Sequence, residues 1–509
     1  MKKSKIRTAR TKIGQVETRL LLLPTFAEVL ERDIAVKVNV ASNYLIAHQM
    51  AEEEFKGGVG ETMVTFTNYS GIKAGRVLSF GLGARDKFNA SVLREALIAA
   101  FKKAKALKLE EMAIGAPDLA GTPVSAEECG YLIALYAGLV GYNVNTLKTE
   151  KGGHKPETAL AQLKVVAGNN DPEAIRRGVE AGAAVAAAQN TARDLVNLPP
   201  NICTPTFLAA QARELARKSE GAITCRVLGK KECKALGMNA FLAVNQGSDQ
   251  PPQFIILEYK PENAVPGKTL GLVGKSITFD SGGLNIKTGD GMGTMKCDMA
   301  GGATVLSALS AIAALKLPLH IIAVMAATEN MPSGKAYRPG DVIVTMNGRS
   351  IEINNTDAEG RVTLSDAVHY IRQLGATHVL DLATLTGAMI TTTADVGAGL
   401  FGNNKEFDAL VLSAADSEGE YLWPMPMWKE LLKANDTPMA DLSNTGAKFG
   451  GAGSSSAALF IGAFAEDTPW VHLDIAGTAY RRREFQADPA GGTGWGLRTV
   501  VAVAKKFAQ

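Results

Sequence analysis

The chain has 509 residues, 46% of them hydrophobic and 21% charged, with a formal net charge of +3. That length exceeds one ordinary core and calls for two domains. The composition excludes a disordered chain, and so balanced a charge supplies no field that would demand nucleic acid or an acidic membrane as a partner.

Residues 1–12 carry a run of basic side chains. A targeting segment is one reading, but the apolar run after it, residues 20–23, is cut by Pro24 and is too short for a signal-peptide core. A basic edge strand opening the first sheet is therefore expected. The five cysteines are odd in number and form no CxxC pair. They argue against a disulfide framework or a thiolate zinc site and for a reducing, cytoplasmic setting. No apolar run of about 18 residues occurs, so no membrane span is expected.

Over residues 1–150, strand-like runs (19–23, 64–66, 77–81) alternate with helix-like ones (43–55, 91–106), the pattern of a small α/β domain. Residues 148–157 read as the exit from it. Residues 169–172 stop the chain before an Ala-rich helix at about 173–195, which has no internal proline. The expected division is an N-terminal α/β domain over 1–170 and a larger α/β domain over 171–509, opened by this connecting helix. In the second domain the runs 254–259, 269–273, 320–326, 377–382 and 471–475 read as buried strands. Residues 302–315 and 364–373 read as helices. Residues 341–354 read as a hairpin turning at Asn347-Gly348, a pair suited to a type I′ turn.

Polar residues crowd two strand ends. One cluster runs from Val273 through Lys275, Asp280 and Lys287 to Asp298; the other is Asn354 to Arg361. Sites in open α/β sheets lie at the carboxyl ends of strands. Asp280, Asp298, Asp357 and Glu359, packed together, would repel and be pushed toward their neutral forms unless divalent cations joined them. Carboxylates with few softer ligands suit Zn²⁺, Mn²⁺ or Mg²⁺. Lys275 and Lys287 would lie beside such ions, as a neutral amine ligand or as a protonated oxyanion stabiliser. Plainer readings compete. Thr356-Asp-Ala-Glu359 has the form of a capping box. Gly274-Lys275-Ser276 ends like a phosphate-binding loop, but Thr269 stands where that motif needs glycine. The glycines at 289–293 suit a mobile loop better than a phosphate cradle. His472 and Asp474 alternate on one strand face and read as structural. Cys297 reads as packing.

Through these motifs the sequence closely resembles the leucyl aminopeptidase family of two-metal exopeptidases. The signature Asn355-Thr-Asp-Ala-Glu-Gly-Arg361 is intact. Val273-Gly-Lys275, Phe279-Asp-Ser-Gly-Gly283, Met295-Lys-Cys-Asp-Met299, Tyr337-Arg-Pro-Gly-Asp341, Asp381-Leu-Ala-Thr-Leu-Thr-Gly387 and Trp470-Val-His-Leu-Asp-Ile-Ala-Gly477 stand around it. The likeness covers about residues 190–505 and is weaker before that. It implies a smaller N-terminal α/β domain and a larger α/β/α catalytic domain with a central mixed sheet. It implies that Asp280 and Glu359 bridge two metals, that Asp357 completes one site, and that Asp298 and a neutral Lys275 complete the other. Lys287 would polarise the scissile carbonyl, and Arg361 would hold a bicarbonate acting as general base. Met295, Thr384, Leu385 and Gly387 would line the pocket for the N-terminal side chain, with Asp298 assisting the free amine. A hydroxide shared by the metals would attack the peptide. The likeness also implies a homohexamer. Two departures, Ser276 for the usual Gly and Gly293 for a common acid, are expected to alter loop packing and not activity, with the acceptor pocket as the part they could change.

Rival classes are a DNA-binding protein that keeps the enzyme's shape, for which the basic start is the local hint, and a two-metal phosphatase.

Overall fold

A computed structural model describes residues 5–28, 33–68, 70–144, 147, 162–446 and 451–509. The chain forms two compact units, Met1–Asn190 with Glu484–Pro489 and Thr191–Arg483 with Ala490–Gln509. The division falls inside the long helix Pro172–Asn197 rather than ahead of it. Residues 148–157, read as a domain exit, lie outside the described residues.

The first unit is built on a six-stranded sheet of β1 (Lys5–Ala9), β2 (Leu20–Thr25), β3 (Thr62–Phe66), β4 (Arg76–Gly81), β5 (Glu111–Gly115) and β6 (Gln162–Val166), in the order β1-β6-β5-β2-β4-β3. Only β3 runs antiparallel to its neighbour. The basic start of the chain is the edge strand β1, as its composition suggests. Pro24 is accommodated because pairing with β5 stops at Leu22, so the proline has a strand neighbour on one side only. The helix expected over 43–55 is present but shorter, Leu45–Glu52, and a helix that was not expected, Ile34–Ala41, precedes it. Asn43 and Tyr44 take left-handed backbone angles (φ 54° and 62°) and break the run between them.

The second unit carries an eight-stranded sheet. Its strands are β7 (Ile223–Leu228), β8 (Gln253–Tyr259), β9 (Thr269–Asp280) and β10 (His320–Asn330), followed, beyond the short β11 (Val342–Val344) and β12 (Ser350–Glu352), by β13 (His378–Ala383), β14 (Ala398–Gly402), β15 (Leu422–Pro424) and, past β16 (Leu442–Ser443), β17 (Trp470–Asp474). The order is β15-β14-β17-β13-β9-β10-β8-β7. The middle four, β17-β13-β9-β10, are mutually parallel, and antiparallel pairings flank them on both sides. The sheet is mixed, as the resemblance implies.

Alternation along β9 shows how helices cover both faces. A Cβ on Gly274 would lie 2.5 Å from Gly302, and Ser276 also meets Gly302, so one face packs on the helix Ala300–Ala314. Gly271 and Lys275 point the other way, to Ile371 and Gly360 of the helix Glu359–Gln373. The result is the α/β/α layering. Backbone meets backbone at Gly274, so glycine is required there. Ser276, the first departure from the family pattern, is fully buried and donates to Gly274 O at 3.0 Å. Gly293, the second, is exposed with open space around it. Among the described residues, the stretch Met292–Ala314 is long and apolar enough to cross a membrane by composition, although no uninterrupted apolar run marks it. With 83% of its apolar window buried, it is a core helix.

The hairpin of β11 and β12 is present, but its turn is not type I′. Val344 pairs with Ser350, and Thr345 N donates to Arg349 O. Of the turn residues only Gly348 has positive φ (87°). Asn347 keeps negative φ because its Oδ1 accepts from Arg349 N and Thr345 Oγ1. This is the longer turn ending in a left-handed glycine.

Candidate metal centre

The four parallel strands end at Asp280, Asn330, Ala383 and Asp474, so the polar residues expected at strand ends arrive at one edge of the sheet. β9 carries Lys275 within the strand and Asp280 at its tip. Gly282 and Gly283 follow with φ of 88° and 63°, a reversal that glycine alone adopts readily. Gly282 N donates to Asp280 Oδ1 at 2.9 Å. The chain then runs through Lys287 and the exposed glycine loop to a 3-10 turn, Met292–Cys297, and Asp298 stands between that turn and the helix Ala300–Ala314.

Asp357 and Glu359 precede and open the helix Glu359–Gln373. The capping box that their sequence suggests does not form: Ala358 holds the cap position with no side-chain cap bond. Thr356 is fully buried, and its hydroxyl donates to Gly282 O at 2.7 Å while accepting from Asn285 N at 2.8 Å. Glu359 turns inward to Lys275. Both side chains serve the centre.

Lys275 Nζ lies 2.7 Å from Asp298 Oδ1, 2.9 Å from Glu359 Oε1 and 2.9 Å from Thr384 O. Lys287 Nζ lies 2.8 Å from Asp280 Oδ2 and 2.5 Å from Asp357 Oδ1. Asp280, Asp357 and Glu359 bring ligand oxygens within 4.8 Å of one another. Among the described residues, Asp298 Oδ2 is buried with no hydrogen-bond partner. Asp357 Oδ1 and Glu359 Oε1 have only the lysine ammonium groups beside them.

The electrostatics follow from burial. Desolvation, reinforced by Asp280, pushes Glu359 up to about 8. Desolvation raises Asp298 to about 6 and moves Asp357 upward as well. Burial works against the charge on Lys275, but Asp298, Glu359 and Asp280 outweigh it and hold the amine protonated, above the ordinary lysine value. Lys287 is raised in the same way, its own burial overcome by Asp280 and Asp357. With four carboxylates against two ammonium groups, full ionisation would leave two uncompensated negative charges, and the cluster resists this by holding Glu359 toward its neutral form. Divalent cations suit such a cluster: they complement the charge and take up the oxygens that lack donors.

Arg361, buried in the first turn of its helix, has an Nε without a partner. Burial lowers its pKa to about 10, opposed by Glu359 and Asp474. Thr384 joins the cluster, donating to Asp298 Oδ1 at 2.7 Å. Leu385 follows, half-buried, with its N–H on Asp474 Oδ1 at 3.2 Å. Gly387 opens the helix Gly387–Thr393 at an exposed position, and Met295 is half-buried in the 3-10 turn, its carbonyl accepting from Asp298 N at 3.2 Å.

His472 and Asp474 are wiring, as their strand setting suggests. His472 Nδ1 meets Asp381 Oδ1 at 2.5 Å, and Trp470 Nε1 donates to Asp381 Oδ2 at 2.6 Å. Asp474 accepts from Thr386 Oγ1 at 2.6 Å and from Ala476 N at 3.1 Å. Cys297 is buried, and burial raises its thiol to about 12, which leaves it inert. Sequence reasoning missed Asn330 and Asn444 and gave Tyr337 no role beyond its motif; all three hold the segments that carry the candidate ligands. Tyr337 donates to Thr356 O at 2.8 Å, and Asn444 Nδ2 donates to Asn355 O at 2.7 Å.

A three-layer α/β unit with carboxylates and lysines gathered at the carboxyl ends of its central parallel strands is the frame of a metal-dependent hydrolase. Residues 190–501 match the model of the cytosol aminopeptidase family, catalytic domain, and residues 22–151 match that family's N-terminal domain. The chain is 38% identical to a probable cytosol aminopeptidase of Alkaliphilus metalliredigens, over 99% of this chain and 100% of the relative. It is also 38% identical to one of Acidobacterium capsulatum, over 95% and 92%. Among solved structures, a variant of tomato leucine aminopeptidase superposes with a TM-score of 0.85 at 31% identity, covering 99% of this chain and 97% of that one. The bottromycin maturation enzyme BotP in complex with Mn gives 0.82 at 30% identity, covering 96% and 100%. The chain belongs to the cytosol aminopeptidase family and is a two-domain, metal-dependent aminopeptidase.

Proposed function

We propose that the protein removes N-terminal residues, leucine and other apolar ones among them, from peptides with a free amino terminus in the cytoplasm. The observation that carries this is the convergence of Asp280, Asp357 and Glu359 within 4.8 Å, next to the buried Lys275–Asp298 pair. Asp280 and Glu359, with Asp357 on one side and Asp298 and Lys275 on the other, would hold two divalent cations, Mn²⁺ or Zn²⁺, with Lys275 serving as a ligand in its neutral form. Such ions supply Lewis acidity, lowering the pKa of water and holding negative charge.

The remaining work falls to side chains. Asp298, with its free Oδ2, receives the substrate ammonium and so limits cleavage to the chain end. Lys287, with a side chain 20% exposed, is placed to donate to the carbonyl oxygen as charge develops on it. Arg361, with an Nε that has no partner among the described residues, would hold a bicarbonate, which would supply a general base beside the metals. Met295, Thr384, Leu385 and Gly387 form the wall of the pocket for the first side chain, and the apolar Met295 and Leu385 support an apolar preference. The family resemblance supports a homohexamer, which light scattering tests. A subordinate DNA-binding role has one local support, the basic Arg7, Arg10 and Lys164 around the edge strand β1; a steep salt dependence of DNA retention would favour it.

The test is hydrolysis of leucine and alanine anilides by the purified protein, after chelation and after return of Mn²⁺ or Zn²⁺, beside N-acetylated controls. Metal-restored cleavage of the free-amine substrates alone is the expected result. Cleavage of a phosphate ester with none of the anilides would overturn the reading.

A further inference from the structure

We propose that Asn330, which no motif marks, is a positioning residue: it fixes the orientation of the Asp280 carboxylate and ties it to the segment carrying Asp357 and Glu359. This rests on the metal-dependent reading above. Asn330 ends β10 with 1% of its surface exposed. Its Nδ2 lies 2.9 Å from Asp280 Oδ1 and 2.9 Å from Thr356 O. One amide group thus spends both hydrogens on two acceptors from separate segments. Both partners are acceptors, so the nitrogen must face them; an oxygen there would meet two oxygens.

The main chain of Asn330 works on the same target. Its carbonyl accepts from Ser281 N at 3.0 Å and from Ser281 Oγ at 2.7 Å, holding the residue next to Asp280. The pairing of β10 with β9 shifts register between Thr328 and Asn330. Such irregularities re-aim the side chain at a strand end.

The consequence for Asp280 is specific. Its Oδ1 takes two donors, Asn330 Nδ2 and Gly282 N, while Oδ2 faces Lys287 and the other carboxylates. The carboxylate cannot rotate without losing both donors. Thr356 O takes two donors as well, Asn330 Nδ2 and the Tyr337 hydroxyl. That carbonyl immediately precedes Asp357 in a stretch not yet helical, where nothing in a regular helix would hold it. Asn330 is therefore the strut between a strand-borne ligand and two ligands borne by a loop and a helix start. Partners that orient metal-binding carboxylates are typically worth about 10–100-fold in metal affinity.

The experiment measures Mn²⁺ affinity of the full chain by competition with a chelating dye, beside thermal unfolding of the metal-free protein. Asn330→Asp, nearly isosteric, sets an oxygen against Asp280; Asn330→Ser removes the amide without adding charge and serves if the first variant does not fold. Both are expected to bind Mn²⁺ about 10–100-fold more weakly, with Asn330→Ser unfolding near the wild-type temperature when metal-free. Tyr337→Phe, which loses only a bond to Thr356 O, is expected to weaken binding less than Asn330→Ser. Wild-type affinity in the Asn330 variants, or an equal loss in Tyr337→Phe, would overturn the proposal. Failure of the wild-type protein to bind Mn²⁺ would instead overturn the functional reading on which it rests.

Discussion

Two buried carboxylates stand seven residues apart on the helix Glu359–Gln373, and they have opposite fates. Asp366, in the middle, is fully buried and accepts from Phe241 N and Met346 N, each at 2.9 Å. Phe241 lies in the first turn of the helix Asn239–Asn245, whose own cap residue, Met238, offers no side-chain bond. Asp366 supplies that missing cap from another element and also pins the β11–β12 turn. Glu359, at the amino end, is equally desolvated, yet backbone donors do not answer its oxygens; a lysine and other carboxylates surround it. Burial alone does not separate a structural acid from a functional one. What separates them is whether the surroundings satisfy every oxygen with neutral donors or leave a charge for something else to take up.

The sharpest way to break this contrast is Glu359→Gln. It keeps the volume but removes the charge, so turnover should fall to background and bound Mn²⁺, measured by elemental analysis, should be lost. Retained metal and turnover would make Glu359 another Asp366. Lys287→Ala comes next. With its Nζ between Asp280 and Asp357, its removal is expected to lower kcat by about 10²–10³-fold, the typical worth of one transition-state donor. Metal content should stay near normal; its loss would assign Lys287 to holding the site together. Asp366→Ala should do the reverse. It strands buried N–H groups at about 1–3 kcal/mol each, lowering the unfolding temperature while metal content and turnover per folded molecule stay near wild type.

The same contrast explains what was legible in the sequence. The apolar cores of β8, β9, β10, β13 and β17 were readable, but β9 was expected to stop at Val273 and β10 at Ala326, whereas they run on to Asp280 and Asn330. The residues that extend them are the polar ones the site needs, so the chemistry hides the strand ends. The helix expected to begin at 364 begins at Glu359 for the same reason. The edge strands β7 and β15, and β14 beside β15, gave no strand expectation: β7 alternates buried and exposed positions, and β15 is a short piece with two exposed residues. The roster of candidate ligands came from a family signature more than from spacing, because Lys275, Asp298 and Glu359 are distant in sequence and meet only through the sheet. Asn330 and Asp366 carried no signal, and Tyr337 stood in a family motif that named no role for it. Each acts through bonds to main-chain groups, Asn330 to the Asp280 carboxylate as well, whose positions only the folded chain defines.

The smallest expected effect tests the contrast by pH. Glu359 is raised from 4.5 to about 8 and Asp366 from 3.8 to about 7, both by burial first. The folded metal-free chain therefore binds more protons than the unfolded chain between those limits, and its stability falls as pH rises through that window. The raised lysines do not offset this: their contribution is fully present below the ordinary lysine value and so is constant here. Mn²⁺ bound as proposed would hold the charge of Glu359 and should remove its share of the slope, while Asp366, answered by backbone N–H groups, keeps its share. Unfolding temperature measured from pH 5.5 to 8 should thus fall more steeply in chelator than in Mn²⁺, by a few degrees on the order expected for about 1–2 kcal/mol in a large domain. The slope that persists in Mn²⁺ should shrink in Asp366→Ala. Parallel curves with and without metal would mean that Lys275 already keeps Glu359 ionised, and that a cation replaces the lysine's charge rather than completing an unanswered one.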